Sequence, residues 1–315
     1  MSVKASAHDG SWPVAPGRRR PSDGSRRASL SALVRTARPR QWSKNVLVLA
    51  APAAGGVLDV PAVAAAAGWA SLVFLVASAS TYLINDAADA EADRNHPVKA
   101  SRPVAAGLVS AETARRTGLA LAALAVLLAA LLNWPLAGLA ALYLAVTWAY
   151  SKWLKHYAIV DLLAVAGCFV LRAVAGGAAT GIVLSNWFLL VVLFGSLFLV
   201  TAKRSAEVRL SSAAGAARAT LASYPRSWLD QVVTLSMAGV VITYATWALQ
   251  YVGTDVASLP LALSVVPFLA LVLRYSLLVA GGAGEAPEEI LISDRCLLIA
   301  GVTWAALVGG ALYLA

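Results

Sequence analysis

A chain of 315 residues in which 60% are hydrophobic and 13% charged, with a mean hydropathy of +0.74, is too apolar for a water-soluble domain. The formal net charge of +9 does not point to nucleic acid, because Lys and Arg lie in short connections between apolar runs and in the N-terminal tail. The composition therefore predicts an all-α, polytopic membrane protein, and its two cysteines, Cys168 and Cys296, offer neither a disulfide framework nor a metal spacing.

In chain order, residues 1–29 are rich in Ser, Pro, Gly and Arg, with Arg18, Arg19, Arg20, Arg26 and Arg27. No apolar run follows closely enough for a signal peptide, so they are expected as a disordered basic cytoplasmic tail able to touch anionic lipid. The remainder, 30–315, is expected as one membrane-embedded domain. Its apolar segments run at about 46–58, 62–84, 114–132, 134–150, 157–180, 186–203, 228–251, 258–279 and 295–314, which predicts nine transmembrane helices, the first and fourth short. Alternate connections carry the basic residues: Arg94 to Arg116, then Lys152 and Lys155, then Lys203 to Arg226, then Arg274 and Arg295. The intervening ones, around Asp59, Asn133, 180–186 and 253–259, hold no Lys or Arg. The positive-inside rule then places the N-terminus in the cytoplasm and the C-terminus outside. Runs such as AVAAAAGWA and AGGAATG predict close helix packing, including at Gly176 and Gly177. Trp134, Trp153, Trp187 and Trp228, near segment ends, read as interface anchors.

Chemistry concentrates in residues 82–107, where four acidic side chains lie beside four basic or histidine ones. Asn85, Asp86, Asp89 and Asp93 follow the spacing NDxxDxxxD, which on a helix brings the aspartates to one face. Carboxylates so crowded repel each other unless a cation intervenes, and oxygen ligands with incomplete protein coordination suit Mg²⁺ shared with a substrate phosphate. Asn85, Asp86, Asp89 and Asp93 are thus the candidate metal ligands, and the three aspartates the candidate catalytic residues. Tyr82, one turn earlier, presents a hydroxyl to the same face, while Arg94, His96, Lys99 and Arg102 follow with charge for a phosphate.

A second constellation spans 150–161, where Lys152, Lys155 and His156 crowd a short turn and Asp161 enters the next apolar run. Arg172 lies eleven residues beyond Asp161, on the same helix face and about 16 Å along it, and its charge should meet a polar cavity or a buried ion-pair partner rather than lipid. Lys44, with Arg38 and Arg40, precedes the first apolar segment; Lys203, Arg204 and Glu207 end the sixth. The last basic connection adds Glu285, Glu288, Glu289 and Asp294. Loops this cationic, all at one end of the segments, suit a polyanionic substrate.

The ensemble RPRQWSKN (38–45), NDAADAEADRNHPVKASRP (85–103), YSKWLKH with Asp161, LRAVAGG (171–177), SNWFLL with AKRSAE (185–207) and APEEILISDR (286–295) resembles the UbiA-type intramembrane prenyltransferase superfamily. Within it, the ensemble is most similar to the branch of decaprenyl-phosphate phosphoribosyltransferases of actinobacterial cell-wall synthesis. The resemblance implies a nine-helix bundle with a cytoplasmic Mg²⁺-diphosphate site in the cell membrane, phosphoribosyl diphosphate as donor and a polyprenyl phosphate lipid as acceptor. One departure stands out: the second acidic motif of members acting on aromatic substrates is reduced here to Asp161. Prenyl transfer to an aromatic acceptor stays open as an alternative, as does an anion transporter, although nearly all charge gathers at one face. The oligomeric state stays open, a homo-oligomer included.

Overall fold

A computed structural model describes residues 30–95, 99–214, 223–250, 258–281, 290 and 293–314. The tail 1–29, His96 and the acidic residues 285–289 lie outside the described residues. Within them the chain is helical, with no strand. The helices are α1 (Leu30–Thr36), α2 (Leu47–Ala54), α3 (Pro61–Ala88), α4 (Ala90–Arg94), α5 (Ala111–Leu132), α6 (Trp134–Lys152), α7 (Val160–Thr180), α8 (Asn186–Ala214), α9 (Arg226–Leu249), α10 (Ser258–Ala280) and α11 (Arg295–Tyr313). Tighter 3-10 turns cover Pro39–Val46, Lys99–Ser101 and Leu154–His156.

Among the described residues seven helices, α3, α5 and α7 to α11, are long and apolar enough to cross a membrane by length and composition. The first and fourth apolar segments fall outside that set. The first is divided between the 3-10 turn Pro39–Val46 and the eight-residue α2, which carries Pro52 and ends at Gly55 and Gly56. The protein is nonetheless a multi-pass membrane protein, and its outward faces show why. Leu127, Leu131, Val266, Ile299 and Val302 are all more than half exposed, an arrangement that only a lipid solvent stabilises.

Among the described residues, basic side chains from successive connections meet at one end of the bundle. There, Arg38 meets Asp86, Arg204 meets Asp161, Arg209 donates to the Ala280 carbonyl and Arg274 pairs with Asp294. At the opposite end Asn133 donates to the Ala178 carbonyl, and the Tyr313 hydroxyl to that of Ala53. α3, at 28 residues, is about 42 Å long against a hydrocarbon thickness of about 30 Å. The helix is thus longer than a crossing needs, and its polar residues Asn85 and Asp86 lie in its last turn.

Close packing comes from small residues, as the sequence predicted. Ala70, Ala77, Ala125, Ala129, Ala140 and Ala175 fill the first core together with Phe74 and Tyr143. A Cβ on Gly176 would stand 1.9 Å from the Val48 carbonyl oxygen, so only glycine lets α7 reach α2. A second core joins α8 to α11 around Phe198, Tyr275 and Leu297. Trp134 and Trp153 are exposed as interface anchors should be, but Trp187 packs into a cluster around Tyr244, and Trp228 stacks on Tyr224 at 5.5 Å.

Candidate functional site

The expectation that Asp86, Asp89 and Asp93 share one face is corrected by a break in the helix. α3 ends at Asp89 (φ −92°, ψ 4°), and α4 restarts the chain at Ala90. Asn85 and Asp89, four residues apart, line a cleft of about 150 Å³ with Ile84, Ala88, Trp148, Ser151, Lys152, Lys155 and His156. Asp86 and Asp93 are buried elsewhere. Asp86 accepts from Arg38 at 2.6 Å and from Arg102 at 3.4 Å, while Asp93 accepts from Arg102 at 2.6 Å and has the Lys99 ammonium at 4.0 Å. Arg102 thus bridges the two carboxylates, and arginine relieves their repulsion. Among the described residues no group of three or more His, Cys, Asp or Glu side chains converges as a metal site.

Two hard oxygen donors facing open space still fit Mg²⁺, which keeps several positions for water and substrate phosphate. Asn85 and Asp89 supply those donors. Of the other two carboxylates named among the ligands by spacing, Asp86 is the charge partner of Arg38 and Arg102, and Asp93 that of Arg102 and Lys99.

Arg38 did not figure among the candidate site residues. It takes a left-handed backbone conformation (φ 54°), and its guanidinium lies 4.8 Å over the Tyr82 ring as well as against Asp86. Tyr82 thereby supports an arginine with its face. The signal was present, since Arg38 heads the RPRQWSKN run, but no local pattern says that it crosses to α3. Lys44 lies in the 3-10 turn Pro39–Val46 that follows Arg38, next to buried Asn45. Arg94 turns away from the cleft and donates to the Ala105 carbonyl at 3.3 Å, bracing the loop before α5.

The second constellation divides as well. Lys152, Lys155 and His156 line the cleft opposite Asn85 and Asp89. Asp161 does not: it is 3% exposed and accepts from Arg204 Nε at 3.1 Å and from the Tyr224 hydroxyl. Arg204 also donates to Glu207 at 2.7 Å and to the Tyr150 hydroxyl at 3.1 Å. This junction ties α6, α7, α8 and the segment before α9 behind the cleft. Lys203 is the neighbour of Arg204 on α8 and is not among the cleft-lining residues. Burial and the hydrogen bond to the Asp161 carboxylate push the Tyr224 phenol above its ordinary pKa, so it stays a donor at neutral pH.

Next to this junction, Ile159 has φ 70° and ψ −50°, and the Val160 N–H bonds to the Ala158 carbonyl at 2.8 Å. This is a γ-turn of the strained, positive-φ kind, at a β-branched residue, and costs on the order of 1–3 kcal/mol. Tyr224 was missed from sequence because an isolated tyrosine between two cationic stretches carries no pattern.

Arg172 does not pair with Asp161. It is 6% exposed and donates to Asn45 Oδ1 at 3.0 Å, to the Cys168 carbonyl at 2.9 Å and to the Tyr143 hydroxyl at 2.8 Å, with its charge also over the Tyr143 ring. Among the described residues no carboxylate forms an ion pair with it, and Asn45 Nδ2 is buried with no hydrogen-bond partner. Of the two surroundings expected for Arg172, a polar cavity or an ion-pair partner, the described residues provide neither a carboxylate nor a place in the cleft lining, but a neutral polar shell.

A profile of the UbiA prenyltransferase family matches residues 45–292. The chain is 43% identical over 287 residues to the decaprenyl-phosphate phosphoribosyltransferase of Mycobacterium tuberculosis, covering 90% of this chain and 94% of that protein. It is 42% identical over 305 residues to the protein of the same name from Mycolicibacterium smegmatis, covering 93% and 96%. Among solved structures, a UbiA homolog from Archaeoglobus fulgidus bound to GPP and Mg²⁺ superposes with a TM-score of 0.67 at 18% identity, over 90% of this chain and 100% of that one. Family profile, curated relatives and fold agree with the resemblance carried by the motifs, and the chain belongs to the UbiA prenyltransferase family.

Proposed function

We propose that this protein is a membrane-embedded transferase that moves a 5-phosphoribosyl group from phosphoribosyl diphosphate to decaprenyl phosphate or a similar polyprenyl phosphate, with release of diphosphate. The observation that carries the reading is the make-up of the cleft. Two metal-competent oxygens, from Asn85 and Asp89, face the cations Lys152 and Lys155 together with His156. Away from the cleft, Asp161 and Glu207 are both occupied by Arg204. A second acidic site for a prenyl diphosphate is not assembled from these groups. A donor with two anionic ends suits a site with one metal locus and a surplus of cations.

Asn85 and Asp89 would hold Mg²⁺, which supplies charge neutralisation to the departing diphosphate. Lys152 and Lys155 then orient the donor from the opposite wall, and Lys44, Arg38 and Arg102 add positive potential at the α3 side. No residue needs to act as general base, because the lipid phosphate is already an anion at neutral pH. The cations hold two polyanions together against their mutual repulsion, which is a proximity contribution. Displacement is direct, so the anomeric carbon inverts; retention, or a trapped ribosyl-enzyme, would refute this.

The positive-inside rule supports a cleft on the cytoplasmic side of the membrane, where a water-soluble donor would arrive while the isoprenoid tail stays among helices and lipid. Such a product suits the supply of arabinose units to a cell wall. The deciding experiment gives the detergent-solubilised protein Mg²⁺, polyprenyl phosphate and labelled phosphoribosyl diphosphate, and looks for label in the lipid fraction. A parallel arm supplies prenyl diphosphate and an aromatic acid; label in that arm alone would overturn the reading in favour of aromatic prenylation.

A further inference from the structure

We infer that Tyr224, from the segment before α9, is a positioning residue that sets the shape of the cleft wall carrying Lys155 and His156. Its hydroxyl does two things at once: it accepts from the Ile159 N–H at 2.7 Å and donates to Asp161 Oδ1. A phenol hydroxyl can fill both roles at once. Asp161 is itself held by Arg204, which also binds Tyr150 at the end of α6. Tyr224 therefore fastens the γ-turn at Ile159 to a junction of buried charges.

The Ile159 side chain is 52% exposed, so burial does not hold this residue at φ 70°. The backbone conformation has to be held by hydrogen bonds, and its own N–H goes to Tyr224. Three to four residues earlier, the 3-10 turn Leu154–His156 places Lys155 and His156 along the cleft opposite Asn85 and Asp89. That turn is fixed on one side by α6 and on the other by the γ-turn. If Ile159 relaxes to negative φ, the chain enters α7 along another path and the turn with its two cationic-type side chains moves. Tyr224 touches neither the cleft nor a reacting group, so its effect is exerted through Ile159 and Asp161. The raised pKa of its phenol keeps the donor proton in place over the working pH range.

The test compares wild type, Tyr224→Phe, Ile159→Gly and the double variant. Tyr224→Phe keeps the ring stacked on Trp228 and removes only the hydroxyl. Its expected effect is an increase in KM for the phosphoribosyl donor of about tenfold with kcat changed less than about threefold, the scale of one lost hydrogen bond to a charged group. Glycine adopts positive φ without strain, so Ile159→Gly alone shifts KM less than about twofold, and in the double variant it restores KM to within about threefold of wild type. A double variant no better than Tyr224→Phe, or a Tyr224→Phe protein with wild-type KM, overturns the proposal. The kinetic arm rests on the proposed donor. A second arm does not: hydrogen exchange of the solubilised protein without substrate should be about tenfold faster at residues 154–160 in Tyr224→Phe, with the interior of α7 unchanged. If wild type transfers no phosphoribosyl group, the functional reading fails and exchange alone decides this one, with unchanged exchange overturning it.

Discussion

Arg38 donates to Asp86 at 2.6 Å across 48 residues of chain, joining the segment before α2 to the last turn of α3. One aspartate of the NDxxDxxxD run is thereby a structural counter-charge rather than a cleft-lining group. Asp86→Asn should lower stability by about 1–3 kcal/mol, less than a fully buried pair because Arg38 and Arg102 are about a third exposed. Transfer should survive at a reduced rate with the Mg²⁺ half-saturation within about twofold of wild type. A metal titration of the rate checks this, and a large rise in half-saturation would return Asp86 to the ligand set.

Asp89→Ala should behave differently, since Asp89 shares the cleft with Asn85. We expect turnover to fall by about a thousandfold, the scale of losing a group that stabilises a developing anion, while the protein still inserts and elutes as folded material. Activity measured beside the elution profile separates the two outcomes, and an active variant would refute the metal assignment.

Lys152→Ala and Lys155→Ala should each raise the donor KM by about tenfold with smaller effects on kcat. Their partly exposed position also makes donor binding sensitive to ionic strength, and each substitution should flatten that sensitivity. Steady-state kinetics at low and high salt test both statements together.

Asp161 and Arg204 form an almost completely buried pair. Asp161→Ala should cost about 1–3 kcal/mol, because Arg204 loses a buried partner but keeps Glu207, and combining it with Arg204→Met should cost less than the sum of the single changes. Thermal unfolding of the four proteins in one detergent measures this coupling. Additive losses would mean that the two charges do not act on each other.

Much of the architecture was legible without coordinates, because lipid imposes its demands segment by segment. Apolar runs at 62–84, 157–180 and 186–203 became α3, α7 and α8, and alanine and glycine runs became tight interfaces. The first segment was not legible as a single spanning helix, because the path of 39–54 depends on how closely Val48 approaches Gly176.

The composition of the site was also local information. Asn85, Asp89, Lys152, Lys155 and His156 stand out in the sequence as polar groups in an apolar chain, and family membership was carried by the ensemble of such runs. Which carboxylate meets which cation was decided only by the tertiary structure, because ion pairs form across helices far apart in sequence. Asp86 with Arg38, Asp161 with Arg204 and Arg172 with Asn45 are of this kind. Spacing states which side chains leave a helix in one direction; what stands opposite them, and whether water can reach it, depends on neighbours that the local pattern does not encode.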